Sequence, residues 1–289
     1  MLGSSTISNN RHSGGKKSMV IMLFLTLFVI PVFAQGDLLL FPRRIVFEGT
    51  KQRIQELNLA NMGKDTLVYA VSFSHIRMNR DGSFTEITKP DSGQQFADNF
   101  IRFFPHTVRL GPKESQVVKF QLTRTSDLKP GEYRSAIYFR ALPRRLDTED
   151  SAQSKVQSKT LSVKLIATYG ISIPVIVLSG PQDVKVSLTD LSISRDKKLA
   201  YLNLLFHRTG NVSCYGDLNV VYTSPQGKAI NVGVAKGVAV YTPNKEREAK
   251  IPLELKPGVD LHSGTITLSY HTSAEKDNAL LAQTSISLH

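Results

Sequence analysis

The chain has 289 residues, 41% apolar and 21% charged, a balance that excludes a disordered protein and gives room for about two globular domains. Its formal net charge is +12, and three of the cations, Arg11, Lys16 and Lys17, fall in residues 1–34 with no acid, so the chain from Gln35 carries +9. A surplus of that size suits acidic protein partners or anionic envelope surfaces. Nucleic acid would need a basic stripe on a recognisable module, and the sequence has none, so most of these charges read as a solvated basic surface.

Met19–Ala34 (MVIMLFLTLFVIPVFA) is an apolar run behind Lys16 and Lys17, and it ends Val32-Phe33-Ala34, small at the two positions a signal peptidase reads. Residues 1–34 therefore read as a secretory signal peptide cleaved before Gln35. A membrane anchor is the alternative, but the run is shorter than the ~20 residues a spanning helix needs, and Pro31 sits near its end. The long polar lead leaves Met19 as well as Met1 a candidate start. No later segment could span a membrane, so no stable insertion is expected after cleavage. Cys214 is the single cysteine; no internal disulfide can form, and a buried, inert thiol is expected.

From Leu38 onward, apolar alternation and turn signals recur without helical periodicity. Leu38–Phe47 starts a strand that bends at Pro42. Ile54–Leu59 follows, closed by Asn61-Met62-Gly63. Leu67–Ile76 is next, and Asn79-Arg80-Asp81-Gly82 signals a hairpin into Ser83–Ile87. Lys89–Asn99 reads as a polar loop. Phe100–Leu110 is a strand interrupted by Pro105, and Gly111-Pro112 turns it into Gln116–Thr123. Lys129-Pro130-Gly131 leads into Tyr133–Leu142, and Tyr133, placed after that turn, resembles a tyrosine corner of immunoglobulin-like sandwiches. Pro143–Lys159 is polar, charged and apolar-poor, a long loop. Seven or eight strands result, a sandwich count.

Leu161–Val177 (LSVKLIATYGISIPVIV) organises the rest. Odd positions from Leu161 to Val177 are apolar or nearly so. Most even ones are polar or small, although Ile166 breaks the rule and the pattern blurs at Ile176 and Leu178. Seventeen extended residues would reach roughly 55 Å, long for a sandwich strand. Pro174 cannot donate to a ladder, which predicts an edge or a bend there. A long apolar edge is an aggregation hazard, so one that is kept predicts a partner strand; two shorter core strands meeting near Thr168–Gly170 is the plainer alternative. Ser179-Gly180-Pro181 reads as the boundary between domains 35–179 and 180–289. The second half alternates at Val184–Ile193, Ala200–His207, Gly216–Thr223, Ile230–Val240, Ala249–Leu255, Gly264–His271 and Leu280–Leu288, a second sandwich of about seven strands. The fold class expected is all-β, two immunoglobulin-like sandwiches.

Motifs of catalysis are missing. The sequence has no Gly-x-Ser-x-Gly elbow, no His-Glu-x-x-His and no phosphate-cradling glycine loop. His75, His106, His207, His262, His271 and His289 are scattered without metal-ligand spacing, and the chain has no Trp platform for sugars. No enzyme activity, catalytic residue, metal or cofactor is expected.

Arg44-Ile45-Val46-Phe47-Glu48-Gly49 resembles the first-strand motif of periplasmic pilus chaperones, the PapD-like family of the chaperone–usher pathway. Asn58-Leu59-Ala60-Asn61 is similar to that family's second strand. Phe100-Ile101, Pro105 and Arg109-Leu110-Gly111-Pro112 are similar to its Phe-Ile-x-x-x-Pro and Arg-Leu-x-Pro segment. Ser135–Phe139 with Leu142-Pro143 resembles its sixth strand. The resemblance runs from about residue 38 to 178.

The resemblance implies two immunoglobulin-like domains set at an angle in an L, with a cleft between them. It implies a periplasmic, cofactor-free chaperone that donates an edge strand to pilus subunits lacking their last strand, and passes them to an outer-membrane usher-like platform. By parity and distance from the boundary, the donor residues would be Leu161, Val163, Leu165 and Ala167. Arg44 corresponds to the arginine that anchors the subunit's C-terminal carboxylate, with adjacent Arg43 expected on the other face. The family's second anchor, a last-strand lysine, is replaced by Ser172, and the disulfide of its long-loop branch is missing; both mark a divergent relative. The rival expectation is a two-domain structural or adhesive envelope protein that donates no strand. A self-capping homodimer through the free edge stays open.

Overall fold

The computed structural model describes residues 38–49, 51–142, 170–197, 199–273 and 276–288. Residues 1–34, expected as a signal peptide, residues 143–159, expected as a loop, and the four donor candidates Leu161, Val163, Leu165 and Ala167 lie outside the described residues.

The first half folds as β1 (Leu38–Phe41), β2 (Ile45–Glu48), β3 (Ile54–Asn61), β4 (Leu67–Ser74), β5 (Ile76–Met78), β6 (Phe84–Glu86), β7 (Ile101–Phe104), β8 (Thr107–Leu110), β9 (Ser115–Leu122), β10 (Gly131–Ala141) and β11 (Gly170–Ser179). One sheet has the order β1-β3-β9-β7, the facing one β2-β11-β10-β4-β8, and β5 and β6 form a separate hairpin. The excess over seven or eight strands comes from splitting. Pro42 and Pro105 carry no N–H, and at each the chain leaves one sheet and enters the facing one, giving β1/β2 and β7/β8. The run expected as Leu67–Ile76 breaks at His75, where β5 departs to build the hairpin.

The second half folds as β12 (Val184–Asp196), β13 (Leu199–Gly210), β14 (Cys214–Thr223), β15 (Ala229–Val240), β16 (Glu246–Leu253), β17 (Gly264–Thr272) and β18 (Leu280–Leu288). Its sheets are β12-β13-β16 and β15-β14-β17-β18, seven strands, each within a few residues of its predicted span. Two immunoglobulin-like sandwiches are thus in place, and the described residues from Leu38 onward pack as one unit.

Alternation explains the cores. Phe47, Leu57, Leu59, Leu110, Phe120, Ile137 and Phe139 point inward and are fully buried in the first sandwich; Leu218, Tyr222, Phe206, Leu268 and Tyr270 do the same in the second. Each such side chain contributes about 1.5–3 kcal/mol by leaving water. Tyr133 closes the corner predicted for it: its hydroxyl accepts a hydrogen bond from the Lys129 N–H at 2.9 Å, four residues upstream. Cys214 is buried at 2% exposure, and burial pushes its thiol pKa up, as an inert core thiol requires.

β10 is buried on both faces. Tyr133, Ile137 and Phe139 enter the first core, while Glu132, Arg134 and Ala136 alternate onto the opposite face and are buried as well. The cover on that face is the second sandwich. A small cluster of Met78, Ile176, Ala239 and Tyr241, with Val46, Leu178 and Tyr215 against it, joins the two.

Candidate functional site

β11 carries the site. Along its whole length it pairs antiparallel with β10, from Gly170↔Arg140 to Ser179↔Gly131. On its other side β2 pairs in parallel with Val175–Leu178 only. Among the described residues, the half Gly170–Pro174 therefore has a neighbour on one side. Pro174 sits where the second partner stops, the position a residue without an N–H tolerates. The sequence placed an edge or bend there, and the pairing agrees. The parallel contact with β2 was not anticipated.

The blurred pattern at the end of β11 has a physical cause. Ile173, Val175 and Val177 fill the first core, as the odd positions should. The even positions Ser172, Pro174, Ile176 and Leu178 face the second sandwich, and that surface turns from open to covered along the strand: Ser172 is exposed, Ile176 is 1% exposed. Apolar residues at Ile176 and Leu178 are thus core residues of a second contact. Register builds this face in rows, with Glu48, Leu178 and Glu132 abreast, then Val46, Ile176 and Arg134, then Pro174, Ala136 and Ser74, then Ser172, Tyr138 and Ser72.

Arg44 immediately precedes β2 and reaches across to the second sandwich. Its guanidinium carbon lies 4.0 Å from the ring centre of Tyr215, a cation–π contact, and its Nε is buried without a hydrogen-bond partner among the described residues. It borders a cavity of about 360 Å³ together with Glu48, Glu132, Ser213 and Lys276. Arg43 borders the same cavity; both arginines lie in the bend before β2, which starts only at Ile45.

Glu132 is the polar centre of the contact between the sandwiches. It is 4% exposed and accepts from the Ser213 N–H at 2.6 Å, the Ser213 hydroxyl at 2.5 Å and the Thr242 hydroxyl at 3.1 Å. The hairpin makes a second bridge. Arg80 pairs with Glu246 at 2.7 Å and Glu248 at 2.9 Å, the Glu248 N–H donates to the Arg80 carbonyl at 2.7 Å, and Asn244 donates to the Met78 carbonyl at 2.7 Å.

Between the hairpin, the free half of β11 and the second sandwich lies a cavity of about 540 Å³. Met78, Phe84, Pro174 and Tyr241 give it apolar walls, and Ser172 lies at its border with Tyr138. No cation was expected beside Ser172, yet Arg134 and Arg247 border this cavity. Burial lowers the pKa of both guanidinium groups, without threatening their charge at neutral pH. The parity of Arg134 against Tyr133, Ile137 and Phe139 was legible in the sequence; its meaning depended on what covers that face.

Ser135, Asp98 and His75 lie in series, the Ser135 hydroxyl 3.1 Å from Asp98 and His75 Nε2 3.1 Å from the same Asp98 oxygen. Ser135 is 1% exposed and accepts from the Ala97 N–H, so it ties the loop before β7 to β10 and offers no nucleophile to solvent. His207 bonds Thr189 at 2.8 Å, and His106 packs edge-on against Phe103. Among the described residues no group of three or more His, Cys, Asp or Glu gathers where a metal could sit, and no helix is long and apolar enough to cross a membrane.

No protein-family model and no curated protein sequence matches the chain. Solved structures do. The class 5 fimbriae chaperone CfaA is 14% identical with a TM-score of 0.42, covering 88% of this chain and 99% of its own. A chain of the CsuC–CsuE chaperone–tip adhesion subunit pre-assembly complex, from the archaic chaperone–usher Csu pili of Acinetobacter baumannii, is 11% identical with a TM-score of 0.41 over 88% and 98%. The E. coli chaperone DraB is 12% identical with a TM-score of 0.40 over 87% and 96%. The chain is similar to fimbrial chaperones. That likeness is one of fold.

Proposed function

We propose that this chain is an exported assembly chaperone that binds an incomplete β-sandwich subunit of pilus type by lending it an edge strand. The observation that carries the proposal is the one-sided half of β11. Gly170–Pro174 presents a backbone edge beside the cleft, and the residues leading into it alternate apolar and polar. Strand addition takes affinity from main-chain hydrogen bonds and selectivity from alternate side chains in pockets. Leu161, Val163, Leu165 and Ala167 are the proposed donors. Each large apolar donor buried in a partner would contribute about 1.5–3 kcal/mol, against roughly 1–2 kcal/mol per backbone residue ordered.

Arg44 is the proposed anchor for a subunit's C-terminal carboxylate, through a charge-assisted pair. To serve, it must trade part of its contact with Tyr215 for the ligand. The proposed setting is the periplasm, the proposed next partner an outer-membrane usher-like platform, and no nucleotide is needed, because completion of the subunit's sandwich supplies the driving force.

The test is capture from the native host. The mature chain, tagged at its C-terminus, is compared with folded Leu165→Glu and Arg44→Glu variants, and co-purifying proteins are identified by mass spectrometry. A stoichiometric small β-rich partner lost with Leu165→Glu supports strand donation; loss with Arg44→Glu as well supports the anchor. No partner, or one indifferent to Leu165→Glu, overturns the proposal and favours a structural envelope protein.

A further inference from the structure

We propose that Tyr138 is a selectivity residue for the strand that joins β11, an inference that rests on the strand-lending reading above. Its phenol stands in for the side chain that Gly170 lacks and offers its hydroxyl to the joining strand. Gly170 is a glycine that its own backbone does not require. It opens β11, pairs in register with Arg140, and its φ lies outside the left-handed region that favours glycine. A glycine inside a strand weakens it, and often marks a place where something else approaches closely.

Tyr138 makes that approach. A Cβ at Gly170 would overlap Cε2, Cζ and Oη of the Tyr138 ring, and these are the three atoms nearest to it. Other strand glycines are confined by main chain: Gly216 meets the His271 carbonyl and Gly210 the Asp183 carbonyl. At Gly170 one side chain does the confining. Register explains how the ring reaches it. Tyr138 is abreast of Ser172, and Gly170 is the next residue along β11 on the same face. The ring therefore leans from β10 across onto β11 and covers the first residue of its one-sided half. An aromatic laid over an edge glycine restores the packing the glycine forgoes and pins the register there.

The hydroxyl is left over. Tyr138 is half-buried, and its hydroxyl has no hydrogen-bond partner among the described residues. It stands above β11, whose half Gly170–Pro174 is paired on one side only among the described residues. A joining strand would run about 4.8 Å beyond β11. A side chain of that strand abreast of Gly170 would have its Cβ roughly 4.5–5.5 Å from the place of a Gly170 Cβ, which is where the Tyr138 hydroxyl lies. A short hydroxyl or amide side chain in that position reaches a hydrogen bond. A Leu or Phe would bury the hydroxyl unpaired, which is costly. Ser172, abreast of Tyr138 and exposed, adds a second hydroxyl to the same face. This face of the edge thus selects a polar side chain on the joining strand.

The probe is the subunit that the tagged mature chain captures from its native host in a Leu165-dependent manner. Complexes of parent and variant chains are purified through the tag and chased with excess untagged parent chain, and release of the subunit is followed in time. Tyr138→Phe keeps the ring over Gly170 and removes only the hydroxyl, and should speed release at least about twofold. Tyr138→Ala should speed it at least about fivefold. Gly170→Ala evicts the ring and should match Tyr138→Ala, yet change release less than about twofold in a Tyr138→Ala background, where no ring is left to evict. Gly170→Ser combined with Tyr138→Ala returns a hydroxyl to nearly the same point and should slow release at least about twofold relative to Tyr138→Ala. Thermal melts check that every variant is folded. Release from folded Tyr138→Phe less than twofold faster than from the parent, Gly170→Ala equally harmful in both backgrounds, or no recovery with Gly170→Ser overturns the proposal and leaves strand lending standing. A parent chain that captures no Leu165-dependent subunit overturns both, and shows it before any Tyr138 variant is made.

Discussion

Glu132→Ala is expected to loosen the contact between the sandwiches more than any other single truncation of a polar side chain. The carboxylate receives three hydrogen bonds from Ser213 and Thr242 at 2.5–3.1 Å, all from the second sandwich. Breaking a buried charged group away from its partners costs about 3–5 kcal/mol, and each bond to an ionised group contributes about 1.5–3 kcal/mol. The two hydroxyls can turn to other acceptors, but the Ser213 N–H cannot. Because Glu132 borders the Arg44 cavity, water can reach the donors, which puts the expected loss near the lower end, about 3 kcal/mol. In urea, with a slope of about 2–3 kcal/mol per molar, the midpoint should fall by about 1 M. Circular dichroism and tyrosine fluorescence should then part into two transitions as the sandwiches uncouple. Glu132→Gln keeps one acceptor and the shape and should lose only about 1–2 kcal/mol. A Glu132→Ala protein within about 0.5 kcal/mol of the parent, unfolding in one unchanged transition, would refute the reasoning.

Three further outcomes follow from the packing. Tyr133→Phe removes the acceptor of the Lys129 N–H and should cost about 1 kcal/mol in a urea melt. Ile176→Ala should cost about 2–5 kcal/mol, because its side chain fills the contact between the sandwiches, while Ser172→Ala on the same face should stay within about 0.5 kcal/mol. Gly210→Ala puts a Cβ 2.1 Å from the Asp183 carbonyl at a φ of 101°, and should cost more than about 3 kcal/mol by thermal melt and strip amide protection from the start of β12 first.

Much of this architecture was legible because strands write their period directly into sequence. The hairpin at Asn79–Gly82, the tyrosine corner at Tyr133 and the edge at Pro174 each follow from one residue's local chemistry. What stayed hidden depends on surfaces meeting across long separations. Ile176 and Leu178 read as noise in an alternating strand until the second sandwich is seen to cover their face. Arg134 and Arg247 lie 113 positions apart and read as solvated charge, since nothing local says that β10 is buried on both faces or that the hairpin closes over β16. Arg44 was placed in the cleft by resemblance, but its stacking on Tyr215 is a long-range contact that neither periodicity nor spacing predicts.

The most direct test of the central claim is amide hydrogen exchange along β11, free and with a captured subunit. In the free chain, Ile171–Ile173 should exchange faster than Val175–Leu178, which β2 covers on the second side, and those same amides should become protected when the subunit is bound. Equal protection of both halves in the free chain, or no change at Ile171–Ile173 in the complex, would contradict a lent strand.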